Sequence, residues 1–279
     1  MFHTGLVARV NRKRTVERTL ERRLDRANAL LADSTAECEQ TLAEYERDLG
    51  LAHPATLACR DRLGELHYKA GRRIDAVTLL EQNLREAERV LGADHPDTIT
   101  YRGHLGGAYG AAGRNDEQIA LTERNVAASE RVLGPDHRDT LDRRGALGMS
   151  YCAAGRVADA ISVLERAAVD SERVLGRGDR TTLVNRAGLG QAYRVSGRIS
   201  ESISLVQQVL AECEREFGRA DRLTCNVRAD LALSYMRAGR RRAERALFKE
   251  HSAVLRELEA AAAAEYEAAE ATRPPTGSK

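Results

Sequence analysis

The chain has 279 residues, of which 42% are hydrophobic and 31% charged, and its formal net charge is +2. So small a net charge provides no global field for nucleic acid. Aromatic residues make up 4%, Trp is absent and there are five Pro, which disfavours an aromatic-rich β-sandwich and suits a mostly helical chain.

The opening stretch, MFHTGLVARVNRKR, has no apolar run long enough for a signal peptide. The longest featureless apolar run, Ala260 to Ala264, is far too short for a membrane span. The five cysteines are odd in number and lack a Cys-x-x-Cys pair, so a disulfide framework is not expected and a reducing, cytoplasmic setting fits. No membrane partner is expected. Val16, Leu20, Leu24, Ala27 and Leu31 are spaced by three and four, beside a basic face built from Arg9, Arg12, Lys13, Arg14, Arg18, Arg22, Arg23 and Arg26. This predicts a capping helix with a solvated basic side. The competing reading is a basic amphipathic helix that meets an acidic partner or a membrane surface. Next, CEQTLAEYERDLG (Cys38 to Gly50) parallels LEQNLREAERVLG (Leu80 to Gly92), so residues 1–48 read as a basic helix plus a degenerate half-repeat.

From residue 49 to 248 the chain repeats with a period of 42. Gly50, Gly92, Gly134, Gly176 and Gly218 share a register, as do Arg60, Arg102, Arg144, Arg186 and Arg228. Further ladders run through Thr56, Leu63, His67 (Tyr109 and later tyrosines in the other copies) and Gly71. The units fall at 49–90, 91–132, 133–174, 175–216 and 217–248. Each reads as two helices. In the second copy, Pro96 suits a first turn, with Asp94 or His95 as cap. Leu105 and Tyr109 share a face, and Gly113 supplies the left-handed residue that ends the helix. A second helix is predicted from about Asp116 to Val132. One such pair cannot bury its apolar stripes alone, whereas stacked pairs can. The segment 249–271 is rich in strong helix formers and predicts a closing helix, and 272–279 (TRPPTGSK) predicts a disordered tail.

The words LG-x-D-H-P-x-T (Leu91 to Thr98), R-x-x-L-G-x-x-Y-x-x-A-G-R (Arg102 to Arg114) and E-R-V-L-G (Glu130 to Gly134) resemble the tetratricopeptide repeat, in the 42-residue form of kinesin light chains and many bacterial proteins. The resemblance covers about residues 49 to 248. It implies an all-α fold, a right-handed α-solenoid of stacked antiparallel helix pairs, and a concave face lined by the first helix of each pair. Carried over residue by residue, it implies a partner-binding groove containing Asp61, Glu65, Tyr68, Gly103, Gly107, Gly110, Ala111, Gly145, Met149, Cys152, Gln191, Arg194, Met236 and Arg237. Members that grip peptide backbones often carry Asn just after the ladder arginine. Asp61, Gly103, Gly145, Ala187 and Ala229 stand there instead, so backbone clamping is not implied, and a Lys and Asn carboxylate clamp is also missing.

No P-loop, kinase, hydrolase or zincin signature occurs, so no enzyme and no cofactor are expected. His53, His95 and His137 recur at the repeat period, one per unit at equivalent helix starts, and read as caps, not as ligands of one metal. Cys152 and His104 read as lone packing or surface residues, and Arg177-Gly178-Asp179 as a chance tripeptide. The ladder arginines Arg102, Arg144 and Arg186 are expected to brace acids such as Glu88, Glu130 and Glu172. Gly106 shares a small-residue register with Gly64, Gly148 and Gly190 and has a packing reason. Gly103, Gly107 and Gly110 together cost a helix roughly 3 kcal/mol against alanine. Two readings stay open for them: a flat floor for a partner's backbone, or close helix packing.

The expected function is a non-catalytic protein-interaction scaffold that binds a peptide or protein segment in the groove. The alternative is a ligand- or peptide-sensing regulator acting on a separate effector. Self-association through the end helices is compatible with either.

Overall fold

The computed structural model describes residues 35–250 and 252–254. The predicted basic N-terminal helix and tail, and most of the predicted closing helix, lie outside them. The described residues form α1 (Thr35–Asp48), α2 (Pro54–Lys69), α3 (Arg73–Val90), α4 (Pro96–Ala111), α5 (Asn115–Leu133), α6 (Arg138–Ala153), α7 (Val157–Leu175), α8 (Arg180–Val195), α9 (Ile199–Phe217) and α10 (Arg222–Arg237). Residues 241–250 are also helical. No strand occurs among the described residues.

Helix starts and stops follow from local chemistry repeated at the period. His53, His95 and His137 each accept a hydrogen bond at Nδ1 from the backbone N–H two residues on, at 3.2 Å. Asp179 and Asp221 do the same in the fourth and fifth copies, at 2.9 and 2.8 Å. These side chains satisfy donors that a helix start leaves without intrahelical partners. The histidine ladder is therefore a capping ladder, and Asp179 of the Arg-Gly-Asp tripeptide belongs to it. Each first helix closes alike. In α4, Gly113 adopts φ +77°, the Arg114 N–H reaches Tyr109 O at 2.9 Å, and the Gly113 N–H reaches Gly110 O at 3.1 Å. That closure needs a residue free to enter the left-handed region.

The chain divides into two compact units at Val132/Leu133. In the first, neighbouring helices pack in sequence from α1 to α4. One core cluster gathers Leu57, Leu80, Leu84, Leu105, Tyr109 and Leu121, and a second gathers Leu42, Tyr45, Cys59 and Leu63. In the second unit, α6 to α10 pack in sequence, and a core cluster of Leu183, Val206, Val209, Leu210, Leu231 and Tyr235 joins α8, α9 and α10. Residues 241–250 add Ala243 and Leu247 to that core, and Glu250 pairs with Arg219 at 2.6 Å.

Two polar ladders join neighbouring helices within each unit. Tyr109 donates to Glu81 Oε1 and Tyr193 to Glu165 Oε1, both at 2.8 Å, while Gln207 donates to the Tyr235 oxygen at 2.8 Å. The arginine after each closing glycine lies over the tyrosine ring, with Arg114, Arg156 and Arg198 at 4.2, 4.3 and 4.0 Å from the centroid. The other ladder is the predicted arginine register. Arg60, Arg102 and Arg228 are almost wholly buried and reach Glu46, Glu88 and Glu214 at 2.6, 2.9 and 2.7 Å. Arg144 reaches Asp170 at 3.1 Å. One member departs from expectation. Arg186 turns to Glu212 on α9 and not to Glu172, because Glu212 is a buried carboxylate that Arg177 also engages, at 2.8 Å.

Candidate functional site

In the first unit, α2 and α4 present a shared face. Successive first helices lie side by side, so residues one period apart become neighbours. Asp61 on α2 and His104 on α4 meet at 2.8 Å through Oδ2 and Nδ1. His104 Nε2 lies 3.5 Å from Glu65 Oε1, and Glu65 is also held by Arg62 at 3.0 Å and Lys69 at 3.9 Å. The hydrogen bond with Asp61 raises the affinity of the imidazole for its proton, with the Asp61 and Glu65 carboxylates adding to it against the cost of burial. Burial pushes the Asp61 carboxyl upward, and the His104 hydrogen bond opposes this.

Beside this cluster lies a cavity of about 170 Å³, lined by Glu65, Tyr68, Leu80, Gly103, His104 and Gly107. Its floor exists because two α4 positions lack side chains. A Cβ at Gly107 would meet nothing within 4 Å, and one at Gly103 would meet only the Asn125 amide nitrogen, at 3.3 Å. Tyr68 stands at the rim, 45% exposed. The cavity thus combines an apolar wall with one carboxylate and one imidazole.

Residues 56–97, 98–139 and 140–180 match the tetratricopeptide repeat model as three consecutive copies. Residues 56–180 carry tetratricopeptide repeats. Solved structures agree. A putative kinesin light chain of Podosopora anserina, built of nearly identical tetratricopeptide-like repeats, is 26% identical over 74% of this chain and 98% of its own, with a TM-score of 0.59. BtubC of P. vanneervenii is 17% identical over 93% of this chain and 95% of its own, with a TM-score of 0.58. Rap protein complexed with Competence and Sporulation Factor is 14% identical over 81% of this chain and 59% of its own, with a TM-score of 0.60. At such identities the last two speak for the fold alone. Comparison with functionally curated proteins returns no match. Tetratricopeptide repeats are generally non-catalytic protein-interaction scaffolds. No described helix is long and apolar enough to cross a membrane.

Within this tetratricopeptide array, the residues predicted for the groove have different surroundings. In the first unit Glu65, Tyr68, Gly103 and Gly107 line the cavity together, and Asp61 sits behind its wall bound to His104. Gly110 is not open floor: a Cβ there would lie 2.7 Å from the Gln118 amide, so its absence permits close packing against α5. Ala111 is half-buried at the end of α4.

In the second unit Gly145 departs from expectation. It is buried, and a Cβ there would overlap the Asn185 side chain. Its register partner Gly103 faces solvent, so one sequence position plays two roles. Cys152 is also buried. Met149 packs on α8, its sulfur 3.0 Å from where a Gly188 Cβ would stand. Gln191 is half-buried. Arg194 approaches Asp230 at 3.7 Å, so its charge is partly matched within the unit. Met236 and Arg237 are exposed near the end of α10.

The sequence reading missed His104 and Leu80 as cavity walls. The available signal was the spacing of 43 between Asp61 and His104, one period plus one residue, which places a base next to an acid on adjacent first helices. Gly64, Gly148 and Gly190 have the expected packing reason, since a Cβ at each would come within about 2.5 Å of Leu80, Leu164 or Val206. Gly106 is looser, with Thr122 Oγ1 at 3.6 Å.

Proposed function

We propose that the protein is a non-catalytic docking scaffold, and that the α2–α4 face of its first unit receives a side chain from a peptide or protein segment. The observation that carries this reading is the cavity floored by Gly103 and Gly107. An exposed helical glycine costs about 1 kcal/mol relative to alanine. At Gly107 no neighbouring atom lies within 4 Å of a Cβ, so internal packing offers no compensation for that cost. Space kept open beside an exposed tyrosine, a leucine and a polar pair has the apolar body and few polar anchors of a recognition pocket. The missing Asn ladder agrees with recognition through side chains and not through a clamped backbone.

The test uses a displayed random-peptide library selected against the full chain, with binders then titrated calorimetrically. Gly107→Arg should weaken selected peptides at least tenfold while helical circular dichroism is unchanged. Undiminished affinity in that folded variant would remove the cavity as the site.

A further inference from the structure

The first unit holds a second cluster of chemistry, away from the cavity, where α1 meets α2. Cys38 on α1 and Cys59 on α2 place their sulfurs 4.0 Å apart. Each thiol also lies 3.8 Å from the other residue's backbone carbonyl oxygen, so the two helices approach closely at this level. Cys38 is half-buried and open to a small reagent, whereas Cys59 is buried. In the next repeat the same registers hold Leu80 and Tyr101, which share one core cluster. The fold therefore brings this pair of positions together by construction, and only this copy fills both with sulfur.

We propose that Cys38 and Cys59 form a redox-modification site, an oxidisable dithiol that a peroxide converts into a disulfide stapling α1 to α2. A disulfide needs its sulfurs about 2.05 Å apart, so the two thiol arms must close by about 2 Å. In the first step the Cys38 thiolate attacks a peroxide oxygen. The S–O bond forms, the O–O bond breaks, and the departing hydroxide takes up the proton released by the thiol, giving Cys38 sulfenic acid and water. In the second step the Cys59 sulfur attacks the Cys38 sulfur. The S–S bond forms, the S–O bond breaks, and hydroxide leaves with the Cys59 proton as water. Two electrons pass from the two thiols to one peroxide. The thiol–thiol contact, aided by the Arg62 guanidinium, holds the half-buried Cys38 thiol below its ordinary range, while the same contact and burial push Cys59 up. Cys38 is thus the attacking thiol and Cys59 the resolving one.

The experiment treats the reduced full chain with a small excess of hydrogen peroxide. The expected result is a mass loss of about 2 Da, a fall in free thiols from five to three, and a Cys38–Cys59 cross-linked peptide in a non-reducing digest. Amide exchange in α1 should slow, and dithiothreitol should reverse all four changes. Cys38→Ser and Cys59→Ser should each abolish the cross-link. The conservative Cys38→Ala serves if the serine variant loses helicity. Three results would overturn the proposal: no loss of thiols, oxygen addition at Cys38 without a cross-link, or a cross-link that omits either residue.

Discussion

Gly107 and Gly145 are both interior glycines of first helices, and alanine should act on them with opposite sign. At Gly107 the added methyl meets nothing within 4 Å. Only the helix-forming preference remains, so Gly107→Ala should stabilise by about 1 kcal/mol. At Gly145 the same methyl would overlap Asn185 Oδ1 and stand 3.0 Å from its Cγ. Asn185 is buried, and its amide lies 3.3 Å from Leu141 O and 3.4 Å from both Ala167 O and Ser171 Oγ. It cannot retreat without leaving those acceptors. Overpacking costs about 1–3 kcal/mol and an unmatched buried polar group about 1–3 kcal/mol. Less the roughly 1 kcal/mol of helix preference, the net loss is about 3 kcal/mol. For a chain of this size 1 kcal/mol moves Tm by about 2–4 °C. Thermal unfolding followed at 222 nm should therefore show Gly107→Ala rising by about 2–4 °C and Gly145→Ala falling by about 6–12 °C. Shifts of the same sign would refute the assignment of one glycine to open space and the other to a filled core.

The capping register offers a second test: His95→Ala should cost about 1 kcal/mol, whereas His95→Asp should be near neutral, because Asp179 and Asp221 already accept the equivalent bond; urea midpoints for the two variants check this. The cavity wall predicts a pH dependence. The folded chain holds the His104 proton more tightly than the unfolded chain does, so the contribution is complete below about pH 6.5 and is lost as pH rises through the raised folded value. Urea midpoints of the parent chain should fall as pH rises above about 6.5, relative to those of His104→Gln. A parallel pH profile for the two proteins would show that Asp61 and Glu65 do not stabilise the charged imidazole.

The period of 42 was enough to establish the helix pairs, because the features that start and stop a helix are local. His95 lies two residues before the N–H it caps, and Gly113 adopts its positive φ within the turn it closes. The tyrosine and arginine ladders were legible for a related reason, since a residue repeated in four or five copies must satisfy as many similar surroundings. What the sequence could not decide is how a side chain on one helix meets its neighbour on the next. The register shared by Gly103 and Gly145 carries the same residue, yet only Asn185 fills the space beside the second. Arg186 takes Glu212 in place of the acid at its ladder position, and His104 finds Asp61. Cys38 and Cys59, separated by 21 residues, come within 4.0 Å across an antiparallel pair. Repetition records the local rules that every unit obeys. The chemistry that distinguishes one unit from another arises where particular side chains meet across adjacent helices, and only the packed structure brings them together.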